Sequence, residues 1–366
     1  MFQTSFAVIL PFMTAVIVMF FGQSGAATLG HYGADPTKVS VSGVSSGAAM
    51  AVQLHVAFSS SIMGVGAVAG VPYYCAQGSA LRATLYECSA AGDPSDVDIQ
   101  FLKSKTETWA SSGKVDSTSN LASSRVYLFS GTNDFVVKQG LVHKLEDYYS
   151  EFISNTDNIK TVYNQPAGHA FITDDYGALC GFTVAPFIND CNYKMAYHIL
   201  KHIYGNLEEP TSSTTASGQL LDFSQTTFFP FYYSIYRPMM YTGYIYVPTG
   251  CQSSTSNCKL HVALHGCSQT TDLILNQFYT KTGFNEVGEL NNIIILYPQA
   301  KRNSFLGNTA GCWDWWGYSG NDYGKHIMIS SFFVEQFPCM IVVLFMRQHF
   351  VVMHANVFGT ILFLDK

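Results

Sequence analysis

The stretch from Lys38 to Gly47, KVSVSGVSSG, decides the fold of this chain. It begins as an alternating, strand-like run, and the helix-compatible run AAMAVQL follows from Ala48 to Leu54. Between them lies a G-x-S-x-G pentapeptide, whose glycines permit the sharp strand-to-helix turn of a nucleophile elbow. We therefore predict that Ser45 is a catalytic nucleophile whose hydroxyl stands clear of the sheet edge. An ordinary turn serine is the alternative, because the pentapeptide also occurs by chance.

A serine nucleophile needs a base, and the base needs an acid that orients it. The strand-like run Val126–Phe129 leads into a turn that ends at Asp134, the predicted acid. A short strand around Thr161–Tyr163 leads into the loop that carries His169, the predicted base. The order serine, aspartate, histidine is that of α/β-hydrolases. Taken singly, the aspartate could cap a turn and the histidine could be a solvated loop residue.

An oxyanion hole requires two backbone N–H groups that point at the charge developing on the substrate. The N–H of Ser46, directly after the nucleophile, is the first predicted donor. The second donor usually comes from a His-Gly loop upstream of the serine, yet the only such strand and turn lie downstream, at Leu260–Ser268. We interpret this order as a circular permutation, since the termini of compact domains often lie close together. Cys267 is then the second donor, and a plain strand-ending turn is the alternative.

Five stretches of sequence carry a family resemblance. They are SVSGVSSG (40–47), AGVPYYC (69–75), AGHAF (167–171), LHGC (264–267) and GCWDWWGY (311–318). The last is the most specific, because three tryptophans and a cysteine rarely occur in so short a span. Together they resemble the extracellular poly(3-hydroxybutyrate) depolymerase family in its circularly permuted, single-domain form. The resemblance covers roughly residues 28–325, which we assign as one catalytic domain.

This resemblance implies a secreted serine esterase that hydrolyses short-chain polyhydroxyalkanoates, such as poly(3-hydroxybutyrate), through an acyl-enzyme. It implies a triad and two oxyanion donors at the positions already named, which are Ser45, Asp134, His169, Ser46 and Cys267. We expect no cofactor and no metal, since the sequence shows no C-x-x-C or His-rich metal spacing. The expected partner is a polyester polymer or oligomer, and we expect the protein to be a monomer.

The substrate-binding residues are expected among the aromatic side chains Tyr73, Trp313 and Trp315. Exposed aromatic side chains bind apolar surfaces well, which favours a polyester substrate. Aromatic rings also stack on sugars, and feruloyl and acetylxylan esterases share the same triad motifs. A carbohydrate esterase is therefore the first alternative, and a non-catalytic polymer-binding protein is the second. We expect at least one tryptophan of the cluster 313–316 to be part of the core.

Length, charge and one apolar segment narrow the class further. The chain has 366 residues, of which 12% are charged, and a net charge of −6. This composition lacks the basic footprint of a nucleic-acid-binding protein, and the length suits one large α/β domain. An apolar run over 6–21, followed by small residues at 24–27, predicts a signal peptide over residues 1–27 and therefore secretion. The run has no basic flank, and an uncleaved anchor is the alternative.

Nine cysteines fit an oxidising compartment. Eight lie in the region that resembles the family, and six of them fall into close pairs along the chain. Sequence alone permits many connectivities, and we predict as a hypothesis the pairs Cys75–Cys88, Cys180–Cys191, Cys251–Cys258 and Cys267–Cys312. The last pair would tie the oxyanion loop to the tryptophan cluster.

The chain departs from the family after Lys325, where the family continues as a polar, amphipathic helix. Residues 326–366 instead contain the apolar runs Ile341–Phe345 and Phe358–Leu364, interrupted by charged and polar residues such as Arg347. A membrane-spanning helix needs about 20 uninterrupted apolar residues, so we expect no stable membrane span. We interpret this tail as an artefact of a mis-spliced or frameshifted gene model. A genuine membrane-proximal tail is the alternative.

Strand-like and helix-like segments alternate along the rest of the chain, which predicts a mainly parallel sheet covered on both faces. We therefore predict a circularly permuted α/β-hydrolase fold. The predicted strands include Ile62–Ala69, Tyr241–Val247 and Asn292–Tyr297, and the predicted helices are Val97–Ala110, Leu141–Ile153 and Tyr193–Tyr204. Ser95 or Asp96 is the expected cap of the first of these helices. His265, next to Gly266, is expected to hold the oxyanion loop by hydrogen bonds.

Overall fold

The computed structural model describes residues 29–30, 32–89, 91–228, 238–320 and 322–326. The predicted signal peptide over residues 1–27 lies outside the described residues. Of the predicted tail over residues 326–366, only His326 is described. None of the described helices is long and apolar enough to cross a membrane.

Eleven strands and eight α-helices are named within the described residues. The strands are β1 (Ala34–Val44), β2 (Ile62–Val68), β3 (Arg125–Phe129), β4 (Ile159–Val162), β5 (Phe171–Thr173), β6 (Ala178–Leu179), β7 (Ile188–Asp190), β8 (Gln219–Ser224), β9 (Thr242–Val247), β10 (Cys258–Leu264) and β11 (Ile293–Tyr297). The helices are α1 (Ser46–Ala57), α2 (Ala80–Thr84), α3 (Ile99–Ser111), α4 (Gln139–Ser150), α5 (Met195–Tyr204), α6 (Thr271–Ile274), α7 (Gln277–Lys281) and α8 (Phe284–Asn291).

Eight strands form one sheet in the order β4-β3-β2-β1-β10-β11-β9-β8. The pairs from β4 to β11 are parallel, and β9 and β8 join the edge in antiparallel fashion. The first strand of the chain therefore lies in the middle of the sheet. Strands from residues 34–162 build one half and strands from residues 219–297 build the other, and the circular permutation stays a prediction. A separate small sheet has the order β5-β7-β6.

Apolar side chains cover both faces of the large sheet. In β3, Val126 and Leu128 belong to one buried cluster, while Tyr127 and Phe129 belong to another. Successive side chains of a strand point to opposite faces, so the two clusters lie on opposite sides of the sheet. The first cluster includes residues of α1, α3 and α4, and the second includes residues of α5 and α8. The mainly parallel sheet with helices on both faces is thus present as predicted.

The predicted caps of α3, Ser95 or Asp96, were wrong by three and two residues. The helix begins at Ile99, and the Asp98 side chain accepts a hydrogen bond from the Phe101 N–H. Residues 94–96 instead form a separate short 3-10 turn, which has its own cap at Asp93. A carboxylate directly before the first turn satisfies one of its free N–H groups, as Asp98 does here.

Candidate active site

Ser45 lies at the sharp turn between β1 and α1, with φ 57° and ψ −122°. This backbone conformation is rare for a residue with a side chain. The Ser45 N–H donates to the Val68 carbonyl at the end of the neighbouring strand, which holds the turn in place. A Cβ on Gly43 would lie 2.3 Å from the backbone of Gly47, and a Cβ on Gly47 would lie 2.4 Å from the Leu264 carbonyl. Only glycine fits either position, as the elbow prediction required.

Asp134 and His169 meet in a buried hydrogen bond. The His169 Nδ1 lies 2.8 Å from the Asp134 Oδ2, and both residues are buried. The other carboxylate oxygen, Oδ1, accepts the N–H groups of Val136 and Val137 at 2.9 Å each. Because an ionised carboxylate only accepts hydrogen bonds, the Nδ1 carries the proton. The Nε2 of His169 is then the nitrogen with a free lone pair, which is the state of a general base.

Backbone and side-chain contacts hold the loop of His169. Its N–H donates to the Thr183 Oγ1 at 2.8 Å, and the preceding Gly168 N–H donates to the Cys180 carbonyl. The Cys180–Cys191 disulfide closes the segment that supplies both acceptors. Thr183 was not singled out from the sequence, since a lone loop threonine gives no signal of this role.

The turn after β10 lies directly beside Ser45. A Cβ on Gly266 would be 3.4 Å from the Cβ of Ser45. The buried His265 Nδ1 donates to the Gly266 carbonyl at 2.7 Å, and its Nε2 accepts the Ala300 N–H at 3.1 Å. Burial lowers the pKa of His265 to about 4, which keeps the imidazole neutral near pH 7. The expected hydrogen bonding of His265 to this loop is therefore confirmed.

The N–H groups of Ser46 and Cys267 flank this point of contact. Ser46 is the first residue of α1, so its N–H has no partner within the helix. Among the described residues, no hydrogen bond is formed by the Cys267 N–H. The Cys267–Cys312 disulfide and the bond from Trp313 Nε1 to the His265 carbonyl hold the turn from the other side. All four predicted disulfides are present.

Two of the aromatic residues predicted to bind substrate are buried. Tyr73 and Trp313 are each 1% exposed, and the Tyr73 hydroxyl donates to the Gly324 carbonyl. Both rings pack in the core in this conformation, and their predicted role in substrate binding stays a prediction. Trp313 fulfils the expectation that one tryptophan of the cluster belongs to the core. Trp315 is half-buried and packs at the edge of the core, and its predicted role in substrate binding stays a prediction.

A contact between a histidine and two serines lies inside the sheet. The His261 Nδ1 and Nε2 lie 2.7 Å from the hydroxyls of Ser40 and Ser42, respectively. Each of these residues has 0% exposure, and burial lowers the pKa of His261 to about 3. The carboxylate of Asp314 does not extend this contact, because the four hydrogen bonds that it accepts come from residues 317–319 of its own loop. Because Ser40, Ser42 and His261 are all fully buried, we interpret their contact as a structural link between β1 and β10.

Exposed apolar side chains are adjacent in sequence to Asp134 and to Thr183, which contacts the His169 backbone. Phe135 and Val136 follow Asp134 directly, and they are 80% and 45% exposed. Phe182 and Val184, which flank the Thr183 that contacts the His169 backbone, are 54% and 46% exposed. The described residues contain no cluster of His, Cys, Asp or Glu side chains that could hold a metal ion.

Comparisons with known proteins identify relatives of this chain. No protein-family model matches the chain. The poly(3-hydroxybutyrate) depolymerase of Delftia acidovorans is 44% identical over 293 residues, which is 80% of this chain but 57% of that protein. The chain thus spans little more than half the length of this relative. The polyhydroxybutyrate depolymerase of Talaromyces funiculosus is 36% identical over 82% of this chain and 88% of its own length.

Two solved structures share the fold. A serine-to-alanine variant of a PHB depolymerase complexed with an R3HB trimer superposes with a TM-score of 0.77 at 33% identity. It matches 86% of this chain and 99% of its own. The PHB depolymerase from Penicillium funiculosum gives a TM-score of 0.75 at 32% identity, with 87% and 99% covered. On these grounds the chain has the α/β-hydrolase fold and belongs to the polyhydroxybutyrate depolymerase family.

Proposed function

We propose that this protein is a secreted serine esterase that hydrolyses short-chain polyhydroxyalkanoates such as poly(3-hydroxybutyrate). The observation that carries the proposal is the 2.8 Å hydrogen bond between His169 and Asp134. Both residues follow strands of the same sheet in which Ser45 ends the central strand β1. Because these strands are parallel, their carboxyl ends lie at one edge of the sheet. The three side chains therefore come from the same edge.

The proposed reaction begins with attack by the Ser45 hydroxyl oxygen on an ester carbonyl carbon. The Nε2 of His169 takes the hydroxyl proton, and Asp134 stabilises the resulting imidazolium through its bond to Nδ1. The N–H groups of Ser46 and Cys267 stabilise the negative charge that develops on the carbonyl oxygen. The imidazolium then protonates the leaving alcohol, and an acyl group stays on Ser45. A water molecule, deprotonated by the same histidine, releases it as an acid.

The proposed substrate class rests on the relatives and on the surface beside the site. Both relatives are named for polyhydroxybutyrate, and one similar structure contains an R3HB trimer. The exposed side chains of Phe135, Val136, Phe182 and Val184 offer apolar contact area next to the base. Exposed apolar side chains beside a catalytic group suit an uncharged, water-insoluble polyester.

We also propose that the protein acts outside the cell as a monomer. Four disulfides join all eight cysteines of the region 75–312. Such bonds form and persist in oxidising compartments, which supports secretion. The monomeric state follows from the family resemblance and is measurable by light scattering.

The test is clearing of a turbid poly(3-hydroxybutyrate) suspension, with p-nitrophenyl butyrate, feruloyl and acetyl esters assayed in parallel. We expect the wild type to clear the suspension and Ser45→Ala to lose clearing by at least about 10³-fold. Turnover of the soluble esters without any clearing would move the substrate to carbohydrate esters. Clearing that survives in Ser45→Ala would contradict the assigned nucleophile.

A further inference from the structure

Gln269 links two loops of the site through one buried side chain. It is 1% exposed and lies two residues after the predicted oxyanion donor. Its Oε1 accepts the Gly266 N–H at 2.7 Å. Its Nε2 donates to the carbonyls of Pro186 and Phe187 at 2.9 and 3.0 Å. The amide thus joins the turn beside Ser45 to the disulfide-closed loop 180–191.

Loop 180–191 is in turn bonded to the segment that carries the base. Thr183 accepts the His169 N–H, as described above. The Phe187 carbonyl accepts the Phe171 N–H at 3.0 Å as well as the Gln269 amide. The buried Asn189 side chain donates to the Cys180 and Phe182 carbonyls and stiffens the loop from within. One carbonyl therefore receives hydrogen bonds from both sides of the site.

The same amide helps to fix the direction of the oxyanion donor. The peptide group between Gly266 and Cys267 is planar, so the direction of its carbonyl sets the direction of the Cys267 N–H. His265 holds that carbonyl, and Gln269 holds the N–H on the other side of Gly266. Both peptide groups that flank Gly266 are thereby anchored.

We propose that Gln269 is a positioning residue that sets the oxyanion turn at 266–267 relative to His169 through loop 180–191. The inference rests on the proposed function of the site and adds a residue to it. A glutamine is required because one end of the side chain must accept and the other must donate. A glutamate at this position keeps the acceptor for Gly266 but faces two carbonyl oxygens without a proton to donate. A leucine of similar size removes both contacts.

The experiment compares Gln269→Leu and Gln269→Glu with the wild type. Asn285→Leu is the matched control, since the buried Asn285 amide bonds to the Tyr279 carbonyl and the Tyr297 hydroxyl, away from these loops. The readouts are kcat and KM for p-nitrophenyl butyrate and amide hydrogen exchange of peptides that cover 180–191 and 265–269. A displaced oxyanion donor lowers kcat, so we expect Gln269→Leu to lose about 10- to 100-fold in kcat with KM nearly unchanged.

The two variants also separate the two halves of the link. We expect faster exchange in both segments for Gln269→Leu, and faster exchange mainly in 180–191 for Gln269→Glu, with a smaller loss of kcat. Asn285→Leu should change neither the kcat nor the exchange of these segments. The proposal is overturned if Gln269→Leu keeps the kcat of the wild type, if Asn285→Leu loses as much kcat, or if exchange rises in neither segment.

The substrate proposal can fail without affecting this test. If the wild type hydrolyses p-nitrophenyl butyrate but does not clear the polyester, only the substrate is wrong, and the comparison of Gln269 variants stands. If the wild type hydrolyses neither ester, the proposed function and the positioning role are both overturned, whatever the exchange data show.

Discussion

Ser45 has a backbone conformation that a serine adopts only when its surroundings impose it. The surroundings here are close backbone contacts at Gly43 and Gly47 and the hydrogen bond from its N–H to the adjacent strand. A strained turn of this kind projects the hydroxyl away from the sheet. The packing of β1, whose last five residues are buried, offsets the free-energy cost of this strained conformation. The identities of residues 43, 45 and 47 therefore determine the direction of the Ser45 hydroxyl.

Three fully buried histidines make the fold sensitive to acid. Burial lowers the pKa of His55 and of His261 to about 3 each, and that of His265 to about 4. In the unfolded chain their pKa is about 6.5, so the unfolded state binds more protons below that pH. Their neutral forms therefore permit full stability above about pH 6.5, and stability falls as the pH drops from there toward 3 to 4.

We expect each of these histidines to lower the free energy of unfolding by about 2 kcal/mol between pH 7.5 and pH 5. The measurement is the urea midpoint across this range for the wild type and for His261→Gln, which cannot titrate there. The variant should show a shallower fall with acid than the wild type. Equal stability at pH 7.5 and 5, or identical pH profiles for the two proteins, would contradict the assignment of buried neutral histidines.

At the scale of elements, β1 and β10 bring Ser45 and the turn at 266–267 together. They are parallel neighbours, with Gly43 paired with Leu264, so both strands end at the same level. His261 bonds to two serines of β1 and joins the strands through their side chains as well. The loop after β10 is then held by the Cys267–Cys312 disulfide, which closes a separation of 45 residues.

Replacement of Cys267 and Cys312 by alanine tests the role of this loop, because the backbone N–H of residue 267 is retained. The loop length predicts a loss of about 4 kcal/mol in stability, against about 2 kcal/mol for the separation of 7 residues at Cys251–Cys258. We expect kcat to fall in the first double variant and to hold in the second, measured by urea unfolding and ester hydrolysis. Equal kcat in both double variants would show that the disulfide does not position the turn.

Much of this element order was predictable from the sequence. The runs ending at Val44, Phe129 and Leu264 are apolar or alternating and are followed by turn residues, which is why their strands were recognised. The cap of α3 was not predictable from the sequence. Ser95, Asp96 and Asp98 are all acceptable caps, and only packing selects among them. Likewise, the aromatic residues Tyr73 and Trp313 cannot be told apart from surface aromatics by sequence, because burial depends on the contacts that the fold creates.

At the scale of the whole molecule, the site lies at the junction of two halves that are far apart in the chain. Ser45, Asp134 and His169 belong to the half built from the earlier strands, whereas Cys267 belongs to the half built from the later ones. The motifs of each half could be found from sequence, as could their order. The link through Gln269 could not, because it joins residues more than 80 positions apart by hydrogen bonds to backbone carbonyls that any residue supplies.

Site mapping with a fluorophosphonate tests the central claim most directly. The reagent is applied to the wild type, to Ser45→Ala and to Ser40→Ala, with and without a trimer of 3-hydroxybutyrate, and the modified peptide is identified by mass spectrometry. We expect a single label on Ser45 that is absent in Ser45→Ala, present in Ser40→Ala and slowed by the trimer. A label on another serine, or a labelling rate that the trimer leaves unchanged, would contradict the account.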